Sequence, residues 1–109
     1  MPYDDGLAHR VRGVLETRTD PDELELFGGL GFTVDGNMCV GVIGDSLVAR
    51  VGPDAYEDAL AEPHARPFDF TGREMAGWVF VDHPGLAEGD DLAGWVDRSL
   101  AFVETLPPK

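Results

Sequence analysis

The sequence predicts an α+β fold, a two-layer arrangement with one antiparallel five-stranded sheet and helices packed on it, in the order α-β-β-β-α-β-β-α. Three observations predict it. Apolar residues recur at helical spacing near both ends of the chain, at Leu7, Val11, Val14 and Leu15 and again at Leu92, Trp95, Val96, Leu100 and Val103. Between those ends lie short apolar runs of strand length. Tight-turn residues, Asp35-Gly36 and Gly44-Asp45, separate the runs and favour hairpins, because glycine takes positive φ at little cost.

The first helix is expected over about residues 3–17, with Asp4 and Asp5 at the positive end of its dipole. Thr19-Asp20-Pro21-Asp22 breaks it, since proline disfavours helical backbone in the residue before it. Residues 24–34, 37–44 and 46–51 read as three consecutive strands of a meander. In the first, the glycines of Gly28-Gly29-Leu30-Gly31 mark a bulge or a close backbone approach. In the third, Leu47, Ala49 and Val51 take one face while Val48 and Arg50 take the other. A second helix is expected over about residues 53–62, with Pro53 in its first turn, where the missing N–H is harmless. Glu62-Pro63-His64-Ala65-Arg66-Pro67 is rich in breakers and reads as a loop, Phe68-Asp69-Phe70-Thr71 as a short strand, and residues 76–82 as the last and most apolar strand. After His83-Pro84-Gly85 a helix is expected over about residues 89–105, opened by Asp90 and Asp91 and ended by Pro107-Pro108. Trp78 and Trp95, at apolar positions of a strand and a helix, are expected to meet in the core.

At 109 residues the chain has the size of one domain, residues 1–109, that can bury a core without disulfides or metal. Its 21 Asp and Glu against 8 Lys and Arg leave a formal charge of −13, with the acidic excess in both halves. Binding duplex nucleic acid requires clustered Lys and Arg to displace phosphate counterions, so direct nucleic-acid contact is disfavoured. The lone Cys39 excludes an intramolecular disulfide and a multi-cysteine zinc site, which makes a reducing cytoplasm the expected compartment. No apolar run approaches the ~20 residues of a membrane-spanning helix, and the acidic start Met1-Pro2-Tyr3-Asp4-Asp5 lacks the features of a secretory signal.

Several short segments, in register along nearly the whole chain, resemble one family. They are Phe27-Gly28-Gly29, Gly36-Asn37-Met38, Arg50-Val51, Pro67-Phe68-Asp69-Phe70-Thr71-Gly72-Arg73, Gly77-Trp78-Val79 and Leu106-Pro107-Pro108-Lys109. Together they resemble the TfoX N-terminal domain family, also called TfoX/Sxy, named for bacterial regulators of natural competence. The resemblance implies an α+β fold of the kind shared with type III secretion chaperones, in agreement with the element order above. In the competence regulators a second, helical domain follows, and the end at Lys109 makes this chain an expected short, single-domain member. Glu25-Leu26 departs from the family pattern, in which relatives usually carry a basic residue and a methionine before the Phe27-Gly28-Gly29 segment.

The residue types that carry chemistry are sparse. The glycine cluster lacks the Gly-Lys-Ser/Thr and strand-loop-helix context of a phosphate loop. Cys39, flanked by Met38 and Val40, reads as a small buried hydrophobe. His9, His64 and His83 have no metal-ligand spacing, and Ser46, His64 and Asp82 form a catalytic triad only if the fold brings them together in the right order. Asp82, Glu88, Asp90 and Asp91 do not follow the EF-hand spacing. No catalytic residue, metal or cofactor is therefore expected. The segment from His64 to Arg73 is the best candidate for recognition, because two of the eight basic residues, Arg66 and Arg73, bracket Phe68 and Phe70, and loops on rigid scaffolds carry binding. Arg66, Phe68, Phe70 and Arg73 are accordingly candidate partner-binding residues, forming a groove for an acidic or aromatic partner segment. The expected function is that of a non-enzymatic regulatory or adaptor domain acting through protein–protein contacts, with homodimerisation expected because related folds often dimerise. Small-ligand binding and an uncharacterised enzyme activity are the alternatives.

Overall fold

The structure, a computed structural model, describes residues 3–26, 28–69, 72 and 75–108. Helix α1 (Asp5–Glu16) starts where Asp4 accepts a hydrogen bond from the Leu7 N–H at 3.0 Å, a side-chain cap for one of the helix's orphan donors. Four strands follow in a continuous meander: β1 (Asp22–Leu26), β2 (Gly29–Val34), β3 (Asn37–Ile43) and β4 (Ser46–Arg50). A one-turn helix α2 (Tyr56–Leu60) leads to the three-residue β5 (Ala65–Pro67), and β6 (Trp78–Val81) passes through a 3₁₀ turn (His83–Leu86) into α3 (Gly89–Val103). The sheet order is β1-β2-β3-β4-β6-β5, and every pairing is antiparallel.

The α+β architecture agrees with the expectation, but the sheet has six strands where five were expected. The extra strand arises inside residues 24–34. Leu26 pairs with Gly29, and Gly28 has φ +74°, so the expected single strand folds back on itself as a hairpin. Two other segments also shift. The residues read as a loop before Pro67 form β5, and the strand expected from Phe68 is absent at Phe68 and Asp69; Phe70 and Thr71 lie outside the described residues. Proline lacks an N–H, and Pro67 sits in an edge strand, where one side of the backbone needs no ladder partner. The second helix is shorter than expected, beginning at Tyr56 rather than Pro53.

The bulge lies across from the glycine cluster. Phe32 pairs with Val40 and Thr33 with Met38, which leaves Cys39 as the unpaired extra residue of β3. The bulge lets Cys39 and Val40 both enter the helix-side core, while Met38 emerges on the opposite face.

That helix-side core holds Phe32, Val40, Val42, Leu47, Ala49, Val79 and Val81 from the sheet against Leu7, Val11 and Leu15 of α1 and Leu92, Trp95, Val96, Leu100 and Val103 of α3. Alternation along β4 places Val48 and Arg50 on the other face, as the sequence pattern requires. Salt bridges stitch the helices down at the margins: Arg12 to Glu23 at 2.5 Å, Arg18 to Asp97 at 2.5 Å and Arg98 to Glu62 at 2.8 Å. All three are solvent-accessible pairs, which contribute little to stability compared with the core.

Candidate functional site

The outer face of the sheet, away from α1 and α3, is covered only in part. A second, smaller apolar cluster forms there from Val48, Phe68 and Phe80, with Ile43 and Trp78 packed against it. The Phe68 ring lies 4.9 Å from Phe80 and 6.1 Å from Trp78, in tilted geometries that suit aromatic quadrupoles. Beside this cluster opens a cleft of about 260 Å³, walled by Met38, Ile43, Val48, Phe68, Met75 and Trp78. Its floor is made by glycine. Gly31 of β2 and Gly41 of β3 are cross-strand partners that both reach the cleft, so two adjacent positions on this face carry no side chain. A Cβ at Gly41 would stand 3.1 Å from the Leu30 carbonyl oxygen, so a side chain here would need β2 to give by a few tenths of an ångström.

Exposed apolar side chains gather at the same place. Among the described residues the exposed large hydrophobics are Leu24, 42% accessible, and Met75, 38% accessible. Met75 walls the cleft, and Leu24 is the cross-strand partner of Gly31 at its floor. The two tryptophans, expected to meet, are separated by the sheet: Trp95 is buried among the helices, whereas Trp78 is half-buried on the outer face and lines the cleft. The parity of β6 decides this, because Trp78 pairs with Arg50 and shares its outward face.

Of the candidate partner-binding residues, Phe68 is 4% accessible and forms a wall of the cleft. Arg66 lies over the Phe80 ring at 4.4 Å and donates from Nε to both carboxylate oxygens of Asp82 at 3.1 Å. Phe70 and Arg73 lie outside the described residues. Sequence reasoning missed Met38, Ile43, Met75 and Trp78 as cleft residues; the signal for the cleft was the pair Gly31 and Gly41, which becomes legible only with the register of β2 and β3.

At the ends of β4, β5 and β6 the fold does bring Ser46 and Asp82 together, with His64 beside them. Ser46 Oγ donates to Asp82 Oδ1 at 3.1 Å, and the Asp82 N–H donates to the His64 carbonyl at 2.9 Å. A hydrolytic triad needs the imidazole between hydroxyl and carboxylate; here the hydroxyl donates directly to the carboxylate. The Arg66 guanidinium, and then the Ser46 hydroxyl, hold Asp82 below the usual carboxylate range. This cluster ties three strand ends rather than activating a nucleophile. Cys39 is fully buried, and burial pushes its thiol up to about 12, so the thiolate is not formed at neutral pH. No group of three or more His, Cys, Asp or Glu among the described residues is placed to hold a metal ion.

The TfoX N-terminal domain family matches residues 15–103, most of the chain. The chain belongs to the TfoX N-terminal domain family. The glycines and aromatics of this TfoX N-terminal domain are therefore accounted for by position: Gly28 turns β1 into β2, Gly31 and Gly41 floor the cleft, and Phe68 and Trp78 wall it. No curated protein and no solved structure matches the chain. No helix among the described residues is long and apolar enough to cross a membrane.

Proposed function

We propose that this TfoX N-terminal domain is a non-enzymatic regulatory or adaptor domain of the cytoplasm that acts through protein–protein contacts, with the outer face of its sheet as the contact surface. The observation that supports the reading is the clustering of Leu24, Met75 and the apolar cleft on the face that the helices leave uncovered. Clustered exposed apolar area of this kind marks interaction surfaces. Arg66 and Phe68, two of the four candidate residues, belong to the same face and extend this surface in the proposal. Joining two copies would bring together two chains of charge −13, which favours a different protein as the partner over a second copy.

Affinity capture from the native host tests the reading. Ile43→Lys and Met75→Lys are expected to lose a partner that the wild-type chain and a Glu57→Lys control on α2 both retain. A partner held equally by all four proteins would remove the outer face from the proposal. Light scattering at several concentrations reads self-association independently. The apolar walls of the cleft favour a second reading, small-ligand binding, which a metabolite-induced rise in the thermal midpoint supports through mass action.

A further inference from the structure

We propose that the outer cleft is a binding site for amphiphilic carboxylates, with an apolar chain seated over Gly31 and Gly41 and its carboxylate on Arg50. The cleft supplies the apolar half of this chemistry: its volume of about 260 Å³ lies near the lower end of small-molecule sites, and its walls are apolar side chains. Arg50 supplies the charged half. It lies two residues beyond Val48 on the same face of β4, directly opposite Trp78. Its guanidinium stands 5.1 Å from the Trp78 ring and 5.3 Å from the Phe102 ring, and Nη1 donates to the Met38 carbonyl at 3.3 Å. These contacts hold the cation next to Met38 and Trp78, two lining residues, and outside the lining itself.

What singles out Arg50 is the company it keeps. In a chain with 21 acidic residues, Arg12, Arg18, Arg66 and Arg98 each pair with a carboxylate. Among the described residues no carboxylate lies within 4.0 Å of Arg50. Arg10 shares that property, but it donates to the Leu86 carbonyl on the helix side, whereas Arg50, though not itself a lining residue, touches two residues that are, Met38 and Trp78. A guanidinium has five N–H donors in a fork that matches a carboxylate, and the Met38 carbonyl is the one hydrogen-bond acceptor of Arg50 among the described residues. A monoanion suits a single guanidinium better than a dianionic phosphate does. The field of the −13 chain opposes any anion, yet screening confines it to about 8 Å at physiological salt, so the nearby cation decides.

This inference concerns a free ligand and does not depend on the adaptor reading; the titration uses the purified chain alone, so its failure leaves the capture experiment untouched. Decanoate is titrated into the full chain while tryptophan emission is followed, with decanol, decylammonium and acetate as comparison ligands. Decanoate is expected to saturate and to shift an emission that Trp78→Phe abolishes, decanol to bind about tenfold more weakly, the loss of one charge-assisted contact, and the other two not to saturate. Arg50→Gln is expected to bring decanoate down to the decanol affinity while leaving decanol unchanged, and Arg50→Lys to restore part of the difference. Ile43→Glu, which places a carboxylate in the cleft, is expected to abolish binding with the thermal midpoint retained. Equal affinity for decanoate and decanol, binding of decylammonium as tight as decanoate, equal weakening of both ligands by Arg50→Gln, retained binding in Ile43→Glu, or no saturation with decanoate would each overturn the proposal.

Discussion

The two faces of the sheet are built from the same strands and solve opposite problems. The inner face carries apolar side chains and is sealed by α1 and α3, so Phe32, Val40, Val42, Leu47, Ala49, Val79 and Val81 are fully buried. The outer face has Gly31 and Gly41 where the inner face has Phe32 and Val40, and its larger side chains stand around a gap. A pleated strand changes face at each residue, so one chain segment specifies a filled core on one side and a cleft on the other. The difference teaches that apolar content does not by itself measure core: Trp78 and Met75 are as apolar as the inner residues and serve a surface.

The widest gap between the faces is expected in stability. Phe32→Ala should cost about 3–5 kcal/mol in chemical denaturation, since the closed inner core cannot refill the space. Phe68→Ala should cost less, because it walls a cleft already open to solvent; equal losses would break the comparison. Cysteine reactivity should separate the faces next. Cys39 is expected to resist a thiol reagent until the protein unfolds, and labelling of the native protein at the rate of a free thiol would show that the inner face opens. The linkage sign follows: the folded thiol keeps its proton to about 12, while the unfolded thiol loses its proton near ~8.5, so stability should fall as pH rises through that window. Cys39→Ser should flatten the alkaline slope.

Emission quenching should show a smaller contrast. Acrylamide is expected to quench Trp78 more than Trp95, read by comparing Trp78→Phe with Trp95→Phe; equal quenching would place both rings in equivalent surroundings. The smallest effect belongs to the sheet margins. Arg12 holds Glu23, and Arg66 holds Asp82, below the carboxylate range, so their contributions are present at neutral pH and lost as pH falls below ~4. Both carboxylates are solvent-accessible, so Glu23→Gln and Asp82→Asn should lower the thermal midpoint at pH 7 only slightly and reduce its acid dependence.

The sequence by itself determined the α+β class, the two terminal helices and their buried stripes, the Asp35-Gly36 hairpin and the inert Cys39. These depend on local periodicity and turn chemistry, which neighbouring residues encode. Residues in turns with positive φ, such as Asp35 and Gly36, are legible for the same reason. Only the tertiary structure decided the sixth strand, the separation of Trp78 from Trp95, the Ser46–Asp82 contact and the outer cleft. Each of these depends on strand register. Whether Gly31 faces Gly41, and whether Cys39 is skipped so that Met38 turns outward, is set by hydrogen bonding between strands, and a one-residue slip would exchange the two faces. Periodicity places a residue on one of two faces; pairing and helix packing decide which face is sealed and which stays open.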